Sequence, residues 1–461
     1  MLSRWLFHTL TLAASSVANS SHPPSVTVRD GVLGGTTTAL PSATASVNKF
    51  LGIPYAQSPP ERFSAPLPPA RWNMPRNATT FGPACLQQQS SLLADFAYTE
   101  PKQSEDCLYL NVFQPSGFPP DRGWSVVVWV HGGGLQFGSG GDPTYDGTAF
   151  AALEEVVFVS FNYRLSVFGF PGASGLPNFG FLDRRRALSW VQENIRKVII
   201  FGESSGGISV DALLTTPSSP LPFRAAIIQS GTVLSNALGS IGQDAQGNRE
   251  GVLSAFNCSS TADQVACMRG VPALALQTYA TNQSVPTVVR DDNITYNVGA
   301  GQQMENTRAK VPVMVGSTAN DGTIFTIGQT TLMAFINTIF GLLPQLIPQV
   351  AAAYAVGSTG ISSESEAIAQ IFTKIALQCP SAVVARQVTQ IGSPAWRYLY
   401  NATFPNVSPA PGVDRDAYHA SELPLVFSTY NMSTATSQQY ALSNYMRGTW
   451  AQFAKDSGER T

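Results

Sequence analysis

Charge is scarce in this sequence. Only 12% of its 461 residues are charged, and 27 Lys+Arg against 29 Asp+Glu leave a formal net charge of −2. A chain without a basic excess lacks the electrostatic surface that binds nucleic acid or an anionic membrane. Because 44% of the residues are hydrophobic, the composition also excludes a disordered charged polymer and predicts a large buried core.

Cysteine and histidine are few as well, with five and four residues. No Cys-x-x-Cys pair is present, which argues against a zinc or thioredoxin-like site, so the sequence implies neither metal nor cofactor. In an oxidising compartment the two locally spaced pairs, Cys85/Cys107 and Cys258/Cys267, are the natural disulfides. This pairing leaves Cys379 without a disulfide partner, and its apolar neighbours in the sequence predict a buried, inert thiol.

Long apolar runs are missing too. Residues 1–18 have a short basic start, an apolar stretch and small residues before the expected cleavage point, which predicts a signal peptide and no stable membrane anchor. The apolar stretch 332–356 is interrupted by Pro344 and Pro348 and predicts a helix pair instead of a span. Secretion to the extracellular space also agrees with seven glycosylation acceptors, at Asn77, Asn257, Asn282, Asn293, Asn401, Asn406 and Asn431.

The chain shows no internal repeat and no long linker, so we expect a single domain over 19–461. A helical pattern over 181–195 lies between short β-branched runs. This alternation predicts an α/β fold with buried parallel strands and helices on both faces, whose sites lie at the carboxyl ends of the strands. The predicted strands are 126–130, 156–161, 198–201, 225–228 and 311–315.

The strand 198–201 runs directly into Gly-Glu-Ser-Ser-Gly-Gly at 202–207. A serine hydroxyl is a weak nucleophile, so it must project from a tight turn where a base can reach it, and the flanking glycines permit that turn. Ser204 is therefore the candidate nucleophile. The amide of Ser205, at the start of the following helix, can face a developing oxyanion.

Two further features support a serine hydrolase. His131 and three glycines at 132–134 follow the strand 126–130, and bare glycine amides suit an oxyanion hole. Of the four histidines, His8 lies in the predicted signal, His22 lies beside two prolines, and His131 adjoins the glycine run. This elimination leaves His419 as the general base.

A serine triad needs a carboxylate to orient its histidine. In α/β-hydrolases the acid lies between the serine and the histidine along the chain. Asp321 stands just beyond the strand 311–315 and is our candidate. Spacing alone does not distinguish it from the other acids in that interval.

Eight short motifs follow one another along the chain from about Val26 to its C-terminus. They are Phe-Leu-Gly-Ile-Pro-Tyr-Ala at 50–56, Glu-Asp-Cys-Leu-Tyr-Leu-Asn-Val at 105–112, His-Gly-Gly-Gly at 131–134, Asn-Tyr-Arg at 162–164, the elbow at 202–207, Gln-Ser-Gly at 229–231, Asn-Asp-Gly at 320–322 and Tyr-His-Ala-Ser-Glu-Leu at 418–423. In these motifs the chain resembles the type-B carboxylesterase/lipase family, which includes cholinesterases and fungal secreted lipases. The resemblance implies an α/β-hydrolase fold, a mostly parallel central sheet, and hydrolysis of small-molecule or lipid carboxylic esters without a cofactor.

The resemblance also implies roles for single residues. Ser204 matches the nucleophile, His419 the base, and Asp321 the acid, which is usually Glu in the family. Leu135 replaces the usual Phe after the glycines. The oxyanion donors match Gly133, Gly134 and Ser205, where the family usually has Ala at the last position, and the two family disulfides match Cys85–Cys107 and Cys258–Cys267.

Two alternative functions stay open at this point, and a third, that of a cholinesterase, is disfavoured. A triacylglycerol lipase could use a small apolar lid, and a catalytically impaired adhesion or binding member would have lost triad residues that are all present here. A cholinesterase needs an aromatic ring over its quaternary ammonium, and the loop between Cys85 and Cys107 contains Phe96 and Tyr98 but no Trp. The lid candidates are Leu86, Leu92, Leu93 and Phe96.

The resemblance further predicts two ion pairs beside the active-site gorge, Arg62–Glu105 and Arg164–Asp183. It also exposes two shortened regions. Relatives continue for several dozen residues beyond the position of Thr461. Between 195 and 198 only two residues replace a Gly-Gly-Asp-Pro loop, and neither favours a left-handed helix cap. We therefore expect the helix to unwind at 192–195 or the next strand to start late.

Overall fold

The computed structural model describes residues 23–43, 45–89, 98, 100–121, 123–172, 176–235, 245–287, 289, 295, 307–407 and 416–457. The predicted signal segment 1–18, the acceptor Asn293 and the lid candidates Leu92, Leu93 and Phe96 lie outside these residues. The strands are β1 (Ser25–Val28), β2 (Gly31–Gly34), β3 (Thr36–Ala39), β4 (Ser46–Pro54), β5 (Arg76–Asn77), β6 (Ala84–Cys85), β7 (Gln103–Ser104), β8 (Tyr109–Pro115), β9 (Val126–Val130), β10 (Val157–Phe161), β11 (Val198–Glu203), β12 (Ala226–Gln229), β13 (Val313–Thr318) and β14 (Ala395–Tyr400).

The α-helices alternate with these strands through the second half of the sheet. They are α1 (Thr148–Glu154), α2 (Ser166–Gly169), α3 (Phe179–Asn194), α4 (Ser205–Thr215), α5 (Ala245–Ala255), α6 (Gln264–Gly270), α7 (Ala273–Asn282), α8 (Leu332–Phe340), α9 (Ile347–Ala353), α10 (Glu364–Phe372), α11 (Cys379–Gln390), α12 (Leu423–Phe427) and α13 (Ser437–Asp456). The 3-10 turns Pro143–Tyr145, Asp321–Thr326, Pro344–Leu346 and Met432–Thr434 and the π-helical segment Thr373–Gln378 complete the described helical structure.

A nine-stranded sheet runs through the molecule in the order β14-β13-β12-β11-β9-β10-β8-β4-β3. The strands from β14 to β10 pair in parallel, while β8, β4 and β3 pair antiparallel. Every residue of β9 to β13 is buried. Strands covered on both faces need continuous apolar runs, so the α/β fold and the five strands predicted from such runs are confirmed.

The apolar core lies on both sides of this sheet. Alternate residues of β9, such as Val128 and Trp129, point to opposite faces and join two separate buried clusters. One cluster packs under α3 and α4, and the other packs under α1, α12 and α13. Since the strands are parallel, their carboxyl ends share one edge, and β11 places Ser204 at that edge.

The expected unwinding at the short connection is wrong. Helix α3 continues to Asn194, and β11 begins at Val198. The chain instead turns with both Arg196 and Lys197 in the left-handed region, at φ 66° and 51°. Non-glycine residues adopt this conformation at a cost of roughly 1–2 kcal/mol each. The buried apolar residues of α3 and β11 keep their places, and the exposed Arg196 and the half-buried Lys197 carry the distortion.

The stretch predicted as a helix pair forms α8 and α9, which pack on each other. Its small core includes Leu332, Ile336 and Ile368 and also belongs to α10. Residues Glu364–Gln390 form one continuous helical run that is long and apolar enough to cross a membrane by length and composition, with half of its apolar window buried inside the protein. Its second part, α11, packs against β13 and β14, as a core helix does.

Both predicted disulfides are formed, Cys85–Cys107 and Cys258–Cys267. The prediction for Cys379 is wrong, because its thiol is exposed. Cys379 begins α11 directly after the π-helical segment. A π turn rotates the helix face by an extra residue, so Pro380 and Ser381 point inward at this position.

Candidate active site

Ser204 occupies a strained turn between β11 and α4. Its backbone lies at φ 57° and ψ −127°, a region that non-glycine residues rarely adopt. The Ser204 amide donates to the carbonyl of Gln229 at 2.9 Å. A Cβ at Gly206 would lie 2.1 Å from the carbonyl oxygen of Val130, so the helix can approach β9 this closely only with glycine there. These contacts fix the elbow that the sequence predicts.

The glycine run lies beside this elbow. A Cβ at Gly132 would approach the Ser204 Cβ to 3.0 Å, and the amide of Leu135 donates to the Ser205 hydroxyl at 3.1 Å. Gly133 and Gly134 both have positive φ, 101° and 62°. Among the described residues these two glycine amides have no protein acceptor, and neither has the Ser205 amide at the start of α4. The loop is therefore docked on the helix that follows Ser204.

His419 is held by Asp321, as predicted. The two side chains are buried, and the His419 Nδ1 lies 2.8 Å from the Asp321 Oδ1. The other oxygen of Asp321 accepts from the Thr318 amide at 2.9 Å and from the Ser230 hydroxyl at 3.0 Å. Three hydrogen bonds thus fix the carboxylate, and the carboxylate fixes the imidazole. Direct contact between the Ser204 hydroxyl and His419 stays a prediction.

The second ring nitrogen of His419 faces the elbow. Its Nε2 lies 3.1 Å from the Oε1 of Glu203, the residue directly before Ser204. Burial raises the pKa of Glu203 to about 8. Burial by itself lowers the pKa of His419, but Glu203 and Asp321 favour the imidazolium and raise the pKa above its ordinary value. The imidazole and Glu203 therefore compete for one proton next to Ser204.

A third buried carboxyl, Glu422, completes this group. Burial raises the pKa of Glu422 to about 7. Its Oε1 accepts from the amide nitrogen of the Gln229 side chain at 2.9 Å, and the amide oxygen of the same side chain accepts from the indole of Trp450 at 2.9 Å. A chain of hydrogen bonds from α13 thus reaches the surroundings of His419.

His131 has a structural position, which supports its exclusion as the base. Its ring stacks on Tyr163 with centroids 4.2 Å apart and planes 13° apart. The Nδ1 lies 2.9 Å from the carbonyl of Gly132. Burial lowers the pKa of His131 to about 3, so the ring stays neutral and carries no charge towards the elbow.

Both predicted ion pairs are present. Arg62 donates to the two carboxylate oxygens of Glu105 at 2.6 and 2.7 Å. Arg164 and Asp183 are buried and make the same fork at 2.7 and 2.8 Å. Bidentate charged pairs of this kind fix geometry as well as adding energy. They tie the segment beside the first disulfide and the loop after β10 to their neighbours.

Four residues of this site received no role from the sequence, although three of them stand inside quoted motifs. Glu203 is the variable residue of the elbow pattern, and Glu422 follows His419 by three positions. Ser230 lies in Gln-Ser-Gly. Phe325, whose ring centroid is 4.7 Å from that of His419, has no sequence signal, because only folding brings the two rings together.

Comparisons with known proteins identify the family of this chain. The profile of the carboxylesterase family matches residues 22–461. The chain belongs to the carboxylesterase family. This carboxylesterase is 33% identical to para-nitrobenzyl esterase of Bacillus subtilis (strain 168), over 95% of its own length and 90% of the relative's. It is 30% identical to carboxylesterase 1C of Rattus norvegicus, over 95% and 86%.

A solved structure of a PNB esterase superposes on this carboxylesterase with a TM-score of 0.76 and 29% identity, covering 95% of this chain and 91% of that one. The α/β-hydrolase fold is thereby shown. Family membership and relatives show that the protein is a carboxylic ester hydrolase of the serine hydrolase type, acting on small-molecule esters.

Proposed function

We propose that this carboxylesterase cleaves esters through an acyl-enzyme on Ser204. His419 takes the serine proton at Nε2 as the hydroxyl attacks the carbonyl carbon, and returns it to the leaving alcohol. Asp321 keeps Nδ1 protonated and stabilises the imidazolium. Water then attacks the acyl group by the same route. The supporting observation is that His419 lies between Asp321, at 2.8 Å, and the elbow residue Glu203, at 3.1 Å.

The oxyanion of the tetrahedral intermediate needs donors that are already in place. We assign this role to the amides of Gly133, Gly134 and Ser205. The positive φ values of the two glycines and the position of Ser205 at a helix N-terminus support the assignment. An amide that is held in position before reaction stabilises the developing charge without reorganisation.

Turnover of aryl esters of increasing acyl length tests this function. The wild-type protein is expected to hydrolyse them, and Ser204→Ala, expressed and folded equally well, is expected to lose activity by several orders of magnitude. A folded wild-type protein without activity towards any ester would favour the impaired adhesion or binding alternative. The acyl length of highest kcat/KM separates a short-chain esterase from a lipase.

We also propose export, with a signal peptide over 1–18 and one catalytic domain over 19–461. The two disulfides support this, because such bonds persist in oxidising compartments. Five acceptors, Asn77, Asn257, Asn282, Asn401 and Asn431, are exposed, and Asn406 is half-buried with its amide hydrogen-bonded to Asn431. Expression in a eukaryotic secretory host, with N-terminal sequencing and glycosidase digestion, tests it. Retention inside the cell without cleavage would contradict it.

A further inference from the structure

The region after Asp321 contains an unusually long stretch without charge. Residues 322–363, which we call the uncharged cap, hold no Asp, Glu, Lys, Arg or His. At the composition of the whole chain, a stretch of this length would carry about five charged residues. The cap consists of the end of the 3-10 turn Asp321–Thr326, helices α8 and α9 and their connections.

The cap exposes large apolar side chains where a protein surface in water normally carries charge. Leu342 is 86% exposed, Ile327 53% and Val356 50%. Leu343 and Met333 are nearly as exposed, at 48% and 46%. Single exposed apolar residues are ordinary, but a cluster in one segment marks an interaction site.

The cap is continuous with the candidate active site. The side chain of Phe325 is partly exposed to solvent. Its ring packs edge-on against the imidazole of His419, with the ring centroids 4.7 Å apart. The centroid of the Phe372 ring lies 5.3 Å from that of Phe325. One side of the cap packs on α10 through the small core around Ile336 and Ile368. The other side faces solvent and begins beside the imidazole.

We propose that the uncharged cap docks this carboxylesterase on the surface of an uncharged lipid phase, from which apolar esters enter the active site. This inference rests on the proposed function and names its substrate class. A neutral or zwitterionic lipid surface is the fitting occupant, because charged side chains are excluded from the cap while apolar ones project from it. An anionic membrane would call for Lys or Arg, and a protein interface would place a polar rim around its apolar centre.

The experiment measures binding of the purified protein to triolein droplets coated with phosphatidylcholine, by flotation. Leu342→Gln and the double variant Leu342→Gln/Leu343→Gln remove apolar contact, and Leu274→Gln on α7 is the matched control, because Leu274 is also exposed, at 69%. Each buried leucine contributes enough transfer energy for the double variant to bind at least about tenfold more weakly. Its hydrolysis of emulsified triolein should fall in parallel.

Soluble ester turnover, the salt dependence of binding and light scattering decide the interpretation. Soluble short-chain ester turnover should stay within about twofold in every variant, because none of these residues contacts the reacting groups. Binding should also be independent of NaCl, because no charge pairs contribute. Equal binding by wild type and double variant would overturn the proposal, and so would binding that falls with salt.

The proposal would also be overturned if the wild-type protein did not bind the droplets and light scattering showed a dimer for the wild type but a monomer for the double variant. That result would assign the cap to self-association. Failure of the catalytic proposal is distinguishable from both results. In that case the Ser204→Ala variant would retain soluble ester turnover, whether or not the protein binds the droplets.

Discussion

Both ends of β11 adjoin residues with positive φ, and the two turns have different surroundings. At its carboxyl end Ser204 has φ 57°, and at its amino end Arg196 and Lys197 have φ 66° and 51°. None of the three is glycine. The first turn is enclosed by the sheet and α4, whereas Arg196 is exposed and Lys197 half-buried.

The surroundings decide what each distortion does. The Ser204 turn is fixed by the Gln229 carbonyl and by the closeness of Gly206 to β9, so the strain holds the proposed nucleophile in one position. At the other end the Lys197 carbonyl accepts the Val126 amide at 3.2 Å, and the turn simply joins a helix to a strand over the shortest path. Under the proposed mechanism the strain at the elbow serves catalysis, whereas the strain at the connection is only tolerated.

The largest effect is expected from removing the side chains of the proposed nucleophile and base. Ser204→Ala and His419→Ala should each lower kcat by several orders of magnitude, and the double variant should be little worse, because the groups act as one unit. Steady-state kinetics on a soluble aryl ester, with circular dichroism to confirm folding, checks this. Additive losses would argue against a single catalytic unit.

A smaller but still severe effect is expected from moving the elbow. Gly206→Ala places a methyl group 2.1 Å from the Val130 carbonyl, so α4 and Ser204 must shift. A displacement of about 1 Å can lower turnover about 100-fold. The control is Gly270→Ala, where an added Cβ meets nothing within 4 Å. If kcat changes no more in Gly206→Ala than in the control, the elbow tolerates more movement than its contacts suggest.

The pH dependence should respond to the carboxyl that faces the base. His419 acts as a base only when its imidazole is neutral, so activity is lost as the pH falls through its pKa, which the carboxylates raise. Glu203→Gln removes one negative charge and should lower this pKa. The acidic limb of kcat/KM should therefore move to lower pH. An unmoved or raised limb would show that Glu203 is uncharged when His419 titrates.

The smallest effect belongs to the other end of β11. Arg196→Gly and Lys197→Gly relieve the left-handed strain, but they add freedom to the unfolded chain, so each should stabilise the protein by about 0.5–1 kcal/mol net. Chemical denaturation measures this change, with Lys197→Ala as a control that keeps the strain. Inserting Gly-Gly-Asp-Pro after Ile195 should act in the same direction without altering kcat. Unchanged unfolding midpoints in all these forms would mean that the short turn costs nothing.

Much of the fold and of the candidate site could be predicted because local sequence patterns mark the buried strands and the motifs that follow them. The apolar run 126–130 became β9 without a shift. His419 could be chosen because the other three histidines were eliminated, and Asp321 because its motif resembles that of the family's acid, since spacing alone left other acids open. Glu203 and Glu422 were missed because their importance comes from burial near His419, which no local pattern encodes. Cys379 was misjudged because a π turn rotates its helix, and the connection at 196–197 because tertiary packing overrides residue preference.

The central claim, that Ser204 is the nucleophile activated by His419 and Asp321, is tested most directly by covalent labelling. A fluorophosphonate probe reacts only with an activated serine, and mass spectrometry of the digested protein locates the adduct. We predict one adduct, on Ser204, that is absent in Ser204→Ala and forms orders of magnitude more slowly in His419→Ala. An adduct on another residue, or full ester turnover in a protein whose Ser204 stays unlabelled, would contradict the account.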